Sequence, residues 1–276
     1  MGNPWFQFKQ FRITQEKSAL RVGTDGVLLG AWCSVAGTKS ILDVGTGTGV
    51  IALMLAQRTD NQINRGDACV VKGQIHGHTA KIDFGADRNI DNRNELESNC
   101  SDPRIDAFEI SVEACQDASV NFRNCPWKDR LTLHCSDFRQ FQPSGIHPFG
   151  LIVSNPPFFK NSLRSADHSS SVARHDVSLT FEQLISGAKK LLKPEGRLAV
   201  IIPSDAFEDF RETARLAGFY LVRKTLVIPR TGRQPKRVLL EFSVLPCYPV
   251  CDELEILLND RQYSDAFIAL TKEFYL

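Results

Sequence analysis

The chain has 276 residues, 42% of them hydrophobic, and carries 33 basic and 32 acidic side chains with a formal net charge of +1. This length suffices for one large α/β core, and the near-neutral charge excludes a strong overall attraction to nucleic acid, so any such binding needs a local basic cluster. No apolar run approaches the length of a membrane span, and the first residues lack the pattern of a signal peptide, so we expect a cytoplasmic protein with no membrane association.

The eight cysteines include no CxxC pair. This spacing predicts free thiols in a reducing compartment rather than disulfides or a metal site. His76 and His78 have the spacing of a metal-binding pair, but no further ligands lie near them in the sequence. We therefore expect no bound metal.

The N-terminal extension, residues 4–22, carries a nearly alternating pattern of apolar and polar residues, which predicts a strand or a hairpin. The next stretch predicts a helix over residues 26–32, which Thr24 or Asp25 can cap. Two interpretations of the residues before this helix stay open. Gly23, Thr24 and Asp25 are either a simple helix cap or residues beside a bound cofactor.

A glycine-rich turn follows the next short apolar strand. Gly45, Gly47 and Gly49 let the backbone approach a ligand closely, and the helix predicted at residues 50–58 offers free N–H groups at its start. Asp43 precedes the glycines, where a carboxylate would repel a pyrophosphate but would suit a ligand with an ammonium or sulfonium charge. A shifted match to the dinucleotide-binding pattern keeps a dehydrogenase as an alternative.

Residues 60–103 differ in character from the rest of the chain. They are rich in Asn, Asp, Arg and Gly and show no helical period, which predicts an insertion that is mostly mobile. The insertion follows a helix and precedes a strand, so we expect it at the amino ends of the strands. Because ligands bind outside the carboxyl ends, the insertion should be remote from the site.

Two further strands are predicted to end in acidic residues. The strand at residues 105–110 places Glu109 at its end, where a carboxylate can accept hydrogen bonds from both hydroxyls of a ribose. The alternative for Glu109 is a solvated charge. The strand at residues 130–135 precedes Asp137 and Phe138, which could accept from an adenine amino group and lie against its ring.

The apolar run at residues 149–153 predicts a short buried strand that ends at Asn155-Pro156-Pro157-Phe158. The Asn155 side-chain oxygen and the Pro156 carbonyl are two acceptors, and the prolines fix where the carbonyl points. The Phe158 ring offers a flat stacking surface. This set suits a planar ligand with an exocyclic NH2, and the alternative is an ordinary turn.

The segment that follows, residues 159–176, is polar, contains Arg174 and is predicted to be a lid or a substrate loop. The later predicted elements are a helix at residues 180–192 with a capping box, a strand at 197–203, a helix at 207–217, an antiparallel strand pair at 221–228 and 238–244, and a tail from residue 252 that forms a helix or a peripheral extension.

The connection between the two antiparallel strands, residues 229–237, is called the basic loop below. Its four cations are Arg230, Arg233, Lys236 and Arg237, the strongest basic cluster in the chain. Such a cluster indicates contact with phosphate, and the alternative is a solvated loop.

The order of a glycine turn, an acidic strand end, Ser-Asp-Phe and Asn-Pro-Pro-Phe resembles the class I S-adenosylmethionine-dependent methyltransferases. Within that class, Asn-Pro-Pro-aromatic is typical of members that methylate planar nitrogens. Residues 22–32 (VGTDGVLLGAW), 53–59 (LMLAQRT) and 236–242 (KRVLLEF) are similar to the bacterial family of tRNA (valine) adenine-N6 methyltransferases. The resemblance covers nearly the whole chain except residues 60–103.

The resemblance implies a single Rossmann-like α/β domain, residues 1–276, with a mostly parallel seven-stranded twisted sheet, helices on both faces and an antiparallel last strand. It also implies S-adenosylmethionine as the cofactor and tRNA as the partner. We expect a monomer. Asp43 and the three glycines would hold the methionine end of the cofactor, Glu109 its ribose and Asp137 its adenine amino group.

The residues expected at the cofactor are Gly23, Thr24, Asp25, Asp43, Gly45, Gly47, Gly49, Glu109, Asp137, Phe138 and Asn155. The expected catalytic residues are Asn155, Pro156, Pro157 and Phe158, and the expected RNA contacts are Arg174, Arg230, Arg233, Lys236 and Arg237. Methyltransferases for guanine N2 or for glutamine N5 share the Asn-Pro-Pro-aromatic sequence and stay open as alternatives. A non-catalytic RNA-binding module with a decayed cofactor site is the alternative outside the enzymes.

Overall fold

A computed structural model of the chain describes residues 3–65, 102–141, 149–157 and 179–275. The strands are β1 (Trp5–Gln7), β2 (Arg12–Thr14), β3 (Ser40–Val44), β4 (Arg104–Glu109), β5 (Leu131–Cys135), β6 (Phe149–Ser154), β7 (Leu192–Pro203), β8 (Tyr220–Arg230), β9 (Arg237–Ser243) and β10 (Val250–Leu257). The helices are α1 (Thr24–Trp32), α2 (Val50–Arg65), α3 (Val112–Arg123), α4 (Phe181–Leu191), α5 (Phe207–Leu216) and α6 (Asp265–Thr271). None of the helices in these ranges is long and apolar enough to cross a membrane.

Within the described residues, β3 to β10 form one sheet in the order β10-β8-β9-β7-β6-β3-β4-β5. Strand β9 runs antiparallel to its neighbours β7 and β8, and the other pairs are parallel. The predicted α/β class with a mostly parallel sheet is confirmed, as is the antiparallel pairing of β8 with β9.

The sheet has one strand more than the seven predicted. Strand β10 lies at the edge of the sheet, parallel to β8, and α6 follows it. The expectation that the tail from residue 252 is a helix or a peripheral extension is therefore wrong for β10. Only Leu254 of this strand is buried, so the strand shows little of the hydrophobic alternation that would have identified it.

Helices cover both faces of the sheet, and each face has its own apolar core. Helices α1, α2 and α3 pack on one face, while α4 and α5 pack on the other. Successive side chains of β3 point to opposite faces of the sheet, so Ile41 belongs to the first core and Leu42 to the second. A strand that is buried on both faces reads as a continuous apolar run, as the sequence of β3 does.

The N-terminal hairpin β1–β2 packs on the first core together with the C-terminal end of the chain. Phe8 and Ile13 are fully buried. The backbone N–H of Lys9 donates to the Phe274 carbonyl at 2.9 Å, and the rings of Phe8 and Tyr275 stack at 6.2 Å. The hairpin is therefore held by the last residues of the chain as well as by the core.

Helix α2 runs to Arg65, whereas the sequence predicted an end near residue 58 and an insertion from residue 60. Most of the predicted insertion lies outside the described residues. After it, β4 begins at Arg104, whose N–H donates to the carbonyl of Lys39, ahead of β3. The chain therefore re-enters the sheet at the amino ends of these strands.

Candidate functional site

The carboxyl ends of β3, β4, β5 and β6 border a cleft of about 480 Å³. Register explains why distant motifs meet there: Val44 pairs with Ser154, so Asn155 lies beside Gly45. The expected site residues that line the cleft are Asp25, Gly45, Gly47, Glu109, Asp137, Phe138, Asn155, Pro156 and Pro157.

Two glycines of the turn face open space. Gly45 and Gly47 have φ angles of +74° and +58°, and a Cβ placed on either would meet no atom within 4 Å. The N–H groups of Gly45 and Thr46 both donate to the carbonyl of Phe108 at 2.9 Å, which fixes the turn to the end of β4. The turn therefore presents a bare, rigid backbone to the cleft.

Gly49 has a packing role that the sequence did not reveal. A Cβ at this position would lie 2.5 Å from the ring of Phe122, and Gly49 does not line the cleft. Its φ of +87° also disfavours any other residue. Gly49 thus allows α3 to pack closely against the start of α2, and its contact with the cofactor stays a prediction.

Asp43 is fully buried beneath the glycine turn and does not line the cleft, and its expected contact with a charged ligand stays a prediction. Its Oδ2 accepts from the Thr46 hydroxyl at 2.6 Å and from the Ala52 N–H at 3.2 Å. No described residue is hydrogen-bonded to Oδ1. Burial raises the pKa of Asp43 from 3.8 to about 7, against the opposing effect of the two hydrogen bonds. Through these two hydrogen bonds, the Asp43 carboxyl holds the glycine turn against the start of α2.

Glu109 lines the cleft at the end of β4 and is bonded to both loops beside it. Its Oε2 accepts from the Gly47 N–H at 2.8 Å, and its Oε1 accepts from the N–H groups of Ile110 and Ser111 at 2.9 Å each. An ionised carboxylate has about four acceptor positions. Oε2 therefore keeps one for a ligand hydroxyl.

Asp137 and Phe138 form the wall beyond β5. Asp137 accepts from the backbone N–H of Arg139 at 2.9 Å and pairs with its guanidinium at 2.7 Å, which holds the pKa of Asp137 below its usual value. Phe138 packs edge-on against Phe108. A Cβ on Gly187 would lie 2.6 Å from the Phe138 ring, so Gly187 makes room for this ring, a role that the sequence did not reveal.

Asn155 is half-buried in the cleft wall, and no described residue is hydrogen-bonded to its side-chain amide. The strand end below it is fixed because the Ser154 hydroxyl donates to the carbonyl of Val44 at 2.8 Å. Pro156 is buried and Pro157 is exposed. The remaining predicted residues, Phe158 and Arg174, lie outside the described residues.

The residues before α1 do not form the predicted cap. Helix α1 begins at Thr24, and Gly23 is its N-cap without a side-chain hydrogen bond. Asp25 lies in the first turn and accepts from Nε of Arg237 at 2.7 Å. Asp25 also lines the cleft, so this ion pair joins the basic loop to the edge of the site.

The basic loop leaves the carboxyl end of β8, on the same side of the sheet as the cleft. The Ser204 N–H donates to the carbonyl of Lys236 at 3.2 Å, and the Lys236 N–H donates to the carbonyl of Val227 at 3.0 Å. Arg233 and Lys236 are exposed, whereas Arg230 is half-buried. The backbone of the loop is thus fixed while two of its cations reach solvent.

Two buried polar residues of α3, which the sequence analysis did not identify, hold the chain before α1. Asn121 accepts from the Thr14 N–H at 2.7 Å and donates to the carbonyls of Thr14 and Thr48 at 2.9 and 2.8 Å. Asp117 accepts from the N–H groups of Lys17 and Ser18. Asp117 and Asn121 are four residues apart on a mostly apolar face of the helix, and this spacing could have identified them as buried polar residues from the sequence.

In the part of the chain that the structure describes, no cluster of three or more His, Cys, Asp or Glu side chains could hold a metal ion. The described cysteines, which are Cys33, Cys115, Cys125, Cys135, Cys247 and Cys251, are free thiols.

Comparison with known proteins places residues 27–226 in a family model described as an RMKL-like methyltransferase domain. A solved structure of a predicted O-methyltransferase from Agrobacterium tumefaciens is similar with a TM-score of 0.57 at 16% identity, covering 91% of this chain and 96% of that one. This second similarity concerns the fold alone.

Curated relatives match the chain over almost its full length. The protein of Bacteroides fragilis is 38% identical and that of Phocaeicola vulgatus 39%, each match covering 100% of this chain and 99% of the relative. The protein of Citrobacter koseri is 35% identical, with 98% of this chain and 94% of the relative covered. All three bear the name tRNA1(Val) (adenine(37)-N6)-methyltransferase.

Proposed function

The chain belongs to the family of tRNA1(Val) (adenine(37)-N6)-methyltransferases, and from this premise we propose that it methylates N6 of the adenine 3′ of the anticodon in a valine tRNA. The observation that carries the proposal is the position of Asn155, beside Gly45 and with a side-chain amide that no described residue engages. An amide oxygen there can receive an aromatic amine next to the cofactor turn.

The cleft suits S-adenosylmethionine, the cofactor of this class. Gly45 and Gly47 leave open space where other residues would place a Cβ, and Oε2 of Glu109 keeps an acceptor position for a ribose hydroxyl. Phe138 offers an apolar wall for an adenine ring. When bound, the cofactor supplies a methyl group on a positively charged sulfur. Asp137 is the proposed acceptor for the adenine amino group, although Arg139 also bonds its carboxylate.

The chain's own part in the reaction is to hold and orient the target amine. The lone pair of adenine N6 is delocalised into the ring and attacks poorly. Hydrogen bonds from N6–H to the Asn155 oxygen and to the Pro156 carbonyl would orient the amine and favour positive charge on nitrogen as it develops. Proximity supplies much of the remaining acceleration. The methylated nitrogen is acidic, so its proton can leave to water without a dedicated base.

Phe158 is the proposed stacking surface for a base turned out of its helix. The prolines at 156 and 157 would fix the direction of the strand end that carries the two oxygens. The basic loop is the proposed contact for the RNA backbone, through Arg230, Arg233 and Lys236. Arg174 is proposed for the same backbone.

The alternative substrates and functions have less support than methylation of adenine N6. A guanine N2 or a glutamine amide could occupy the same two oxygens, but the curated relatives described above are named for adenine. A dehydrogenase and a non-catalytic RNA-binding module both conflict with family membership. We place the enzyme in the cytoplasm, where tRNA is modified, and expect it to act as a monomer.

The decisive experiment substitutes Asn155 by Ala. We expect turnover to fall about 100-fold or more, because a hydrogen bond that strengthens in the transition state is lost, while the affinity for S-adenosylmethionine stays nearly constant. Turnover is measured by mass spectrometry of nucleosides from valine tRNA incubated with a labelled methyl donor. Cofactor affinity is measured by calorimetry.

Asn124→Ala is the matched control, since Asn124 is exposed at the end of α3 and far from the strand end that carries Asn155. Its turnover should equal that of the unmodified protein. Full turnover by Asn155→Ala would overturn the role of Asn155. A labelled nucleoside other than N6-methyladenosine would overturn the substrate.

A further inference from the structure

The N-terminal residues 3–23, called the N-terminal rim below, reach the edge of the cleft. Leu20 lines the cleft and is 73% exposed. The Val22 N–H donates to Oε1 of Gln15 at 2.9 Å, and the Gln15 N–H donates to the carbonyl of Pro4 at 2.8 Å. The start of the hairpin is therefore tied to the segment that forms one wall of the site.

The side chains on this rim are basic and aromatic. Trp5 is 41% exposed, and the guanidinium of Arg12 lies 4.5 Å from the centre of its ring. Lys17 and Arg21 are also exposed. An exposed indole stacked with a guanidinium, next to further cations, is the combination that binds unpaired bases together with their phosphates.

The charge of the chain is distributed very unevenly. Residues 3–23 contain four basic side chains and one acidic, and the basic loop contains four basic and none acidic. Because the whole chain has a net charge of only +1, the remainder carries six more acidic than basic side chains. The net positive charge of the chain therefore lies in these two segments.

The two basic segments adjoin each other at the cleft. Residue 23 leads directly into α1, where Asp25 lines the cleft and pairs with Arg237 of the basic loop. The N-terminal rim, the first turn of α1 and the basic loop thus follow one another along the edge of the site. An extended polyanion could contact all of them while one of its bases enters the cleft.

The N-terminal rim is also ordered before any partner binds. Phe8 and Ile13 anchor the hairpin in the core, while Asp117 and Asn121 hold the backbone of the segment that follows it. A surface fixed in this way loses little conformational entropy on binding.

We propose that the N-terminal rim is a second RNA-contacting surface, which binds single-stranded nucleotides that flank the target base. An unpaired base stacks on Trp5, and the phosphates beside it contact Arg12, Lys17 and Arg21. This inference rests on the proposed function, since it assigns the RNA substrate of the same cleft to a further surface.

The test compares two double variants with the same loss of charge. Arg12→Gln/Lys17→Gln should weaken tRNA binding roughly tenfold or more and lower the salt slope of log affinity by about 1.4, as each lost contact with single-stranded RNA is worth about 0.7. Lys39→Gln/Arg104→Gln removes an exposed lysine and an exposed arginine at the amino ends of β3 and β4, opposite to the cleft, and it should bind tRNA as the unmodified protein does.

A third variant tests stacking without a change of charge. Trp5→Ala should weaken binding at least fivefold, and Trp5→Phe should restore most of it. Binding is measured by filter retention of valine tRNA at several salt concentrations, and thermal melting verifies that each variant is folded. Calorimetry with S-adenosylmethionine should give the same affinity for the Arg12→Gln/Lys17→Gln variant as for the unmodified protein.

The outcomes separate this proposal from the function itself. Equal loss of affinity in the two double variants, or unchanged binding in all the rim variants, overturns the proposal that the N-terminal rim binds RNA. In either case, methylation of tRNA by the unmodified protein still upholds the proposed function. A protein that neither binds nor methylates tRNA overturns both.

Discussion

At the scale of single residues, Asp43 shows how a buried carboxyl can shape the glycine turn beside a site. Its carboxyl lies beneath the glycine turn, where it accepts from Thr46 and Ala52. Complete burial raises its pKa from 3.8 to about 7. The charged form is therefore costly in the folded protein and is ordinary in the unfolded chain.

The raised pKa makes stability depend on pH in a defined direction. The contribution of Asp43 to stability is fully present below about pH 3.8 and is lost as the pH rises through about 7, because the folded state holds the proton more tightly. We expect Asp43→Asn, which cannot ionise, to remove this loss. Between pH 5 and pH 8 the unmodified protein should lose on the order of a few kcal/mol of unfolding free energy relative to the variant.

Urea unfolding of both proteins at several pH values measures this difference. Asp137→Asn serves as a control, because the pKa of Asp137 is held below its usual value and that carboxyl does not titrate in this range. Parallel stability curves for Asp43→Asn and the unmodified protein would contradict the assignment.

At the scale of elements, α3 connects the glycine turn with the N-terminal rim. Asn121 is 2% exposed and bonds both the backbone of Thr14 and the carbonyl of Thr48. One helix side chain thus ties together two segments that border the cleft, and their positions should change together.

Asn121→Asp tests this connection with almost no change of shape. An aspartate still accepts from the Thr14 N–H but cannot donate to either carbonyl, so we expect a loss of about 1–3 kcal/mol in stability. We also expect faster amide hydrogen exchange at residues 14–22, measured by mass spectrometry. Asn124→Asp at the exposed end of the same helix should leave both quantities unchanged, and unchanged exchange in Asn121→Asp would refute the connection.

The elements that were predicted correctly are those with a strong local signal. The capping box is one: Gln183 N–H donates to the Thr180 hydroxyl and Thr180 N–H to the Gln183 side chain. The buried strands were recognised from their apolar runs, and parallel order then placed their ends together. Strand β10 was missed because an exposed edge strand carries no such run.

The features that could not be predicted depend on contacts between distant parts of the chain. Asp25 and Arg237 are 212 residues apart, and each was assigned to a different ligand because the sequence does not show that they pair. The same holds for Gly187, which only the position of Phe138 explains. Local sequence identified the ends of the strands, and tertiary packing decided which side chains remain available there.

At the scale of the whole molecule, the two ends of the chain share one core. Lys9 bonds the backbone of Phe274, and the side chain of Gln57 donates to the carbonyl of Glu273 at 2.9 Å. The hairpin, α2 and the last residues are therefore parts of a single packed unit. We expect them to unfold together.

Phe274→Ala tests this shared core. Phe274 is 2% exposed, so truncation should cost about 3–5 kcal/mol while unfolding keeps a single transition. Urea unfolding followed by tryptophan fluorescence and by circular dichroism measures both. Tyr248→Ala is the control, since Tyr248 is 98% exposed and should change stability by less than about 0.5 kcal/mol. Separate transitions for the two signals would contradict a single unit.

The central position of β3 bears on how the protein folds. Its neighbours β4 and β6 come much later in the chain, and the bond between Ser154 and Val44 spans 110 residues. Long segments must close before these strands meet, and loop closure of this kind slows folding. A ribosome must therefore release more than half of the polypeptide before the middle of the sheet can form, and Asn155 cannot come to lie beside Gly45 until β6 has been synthesised.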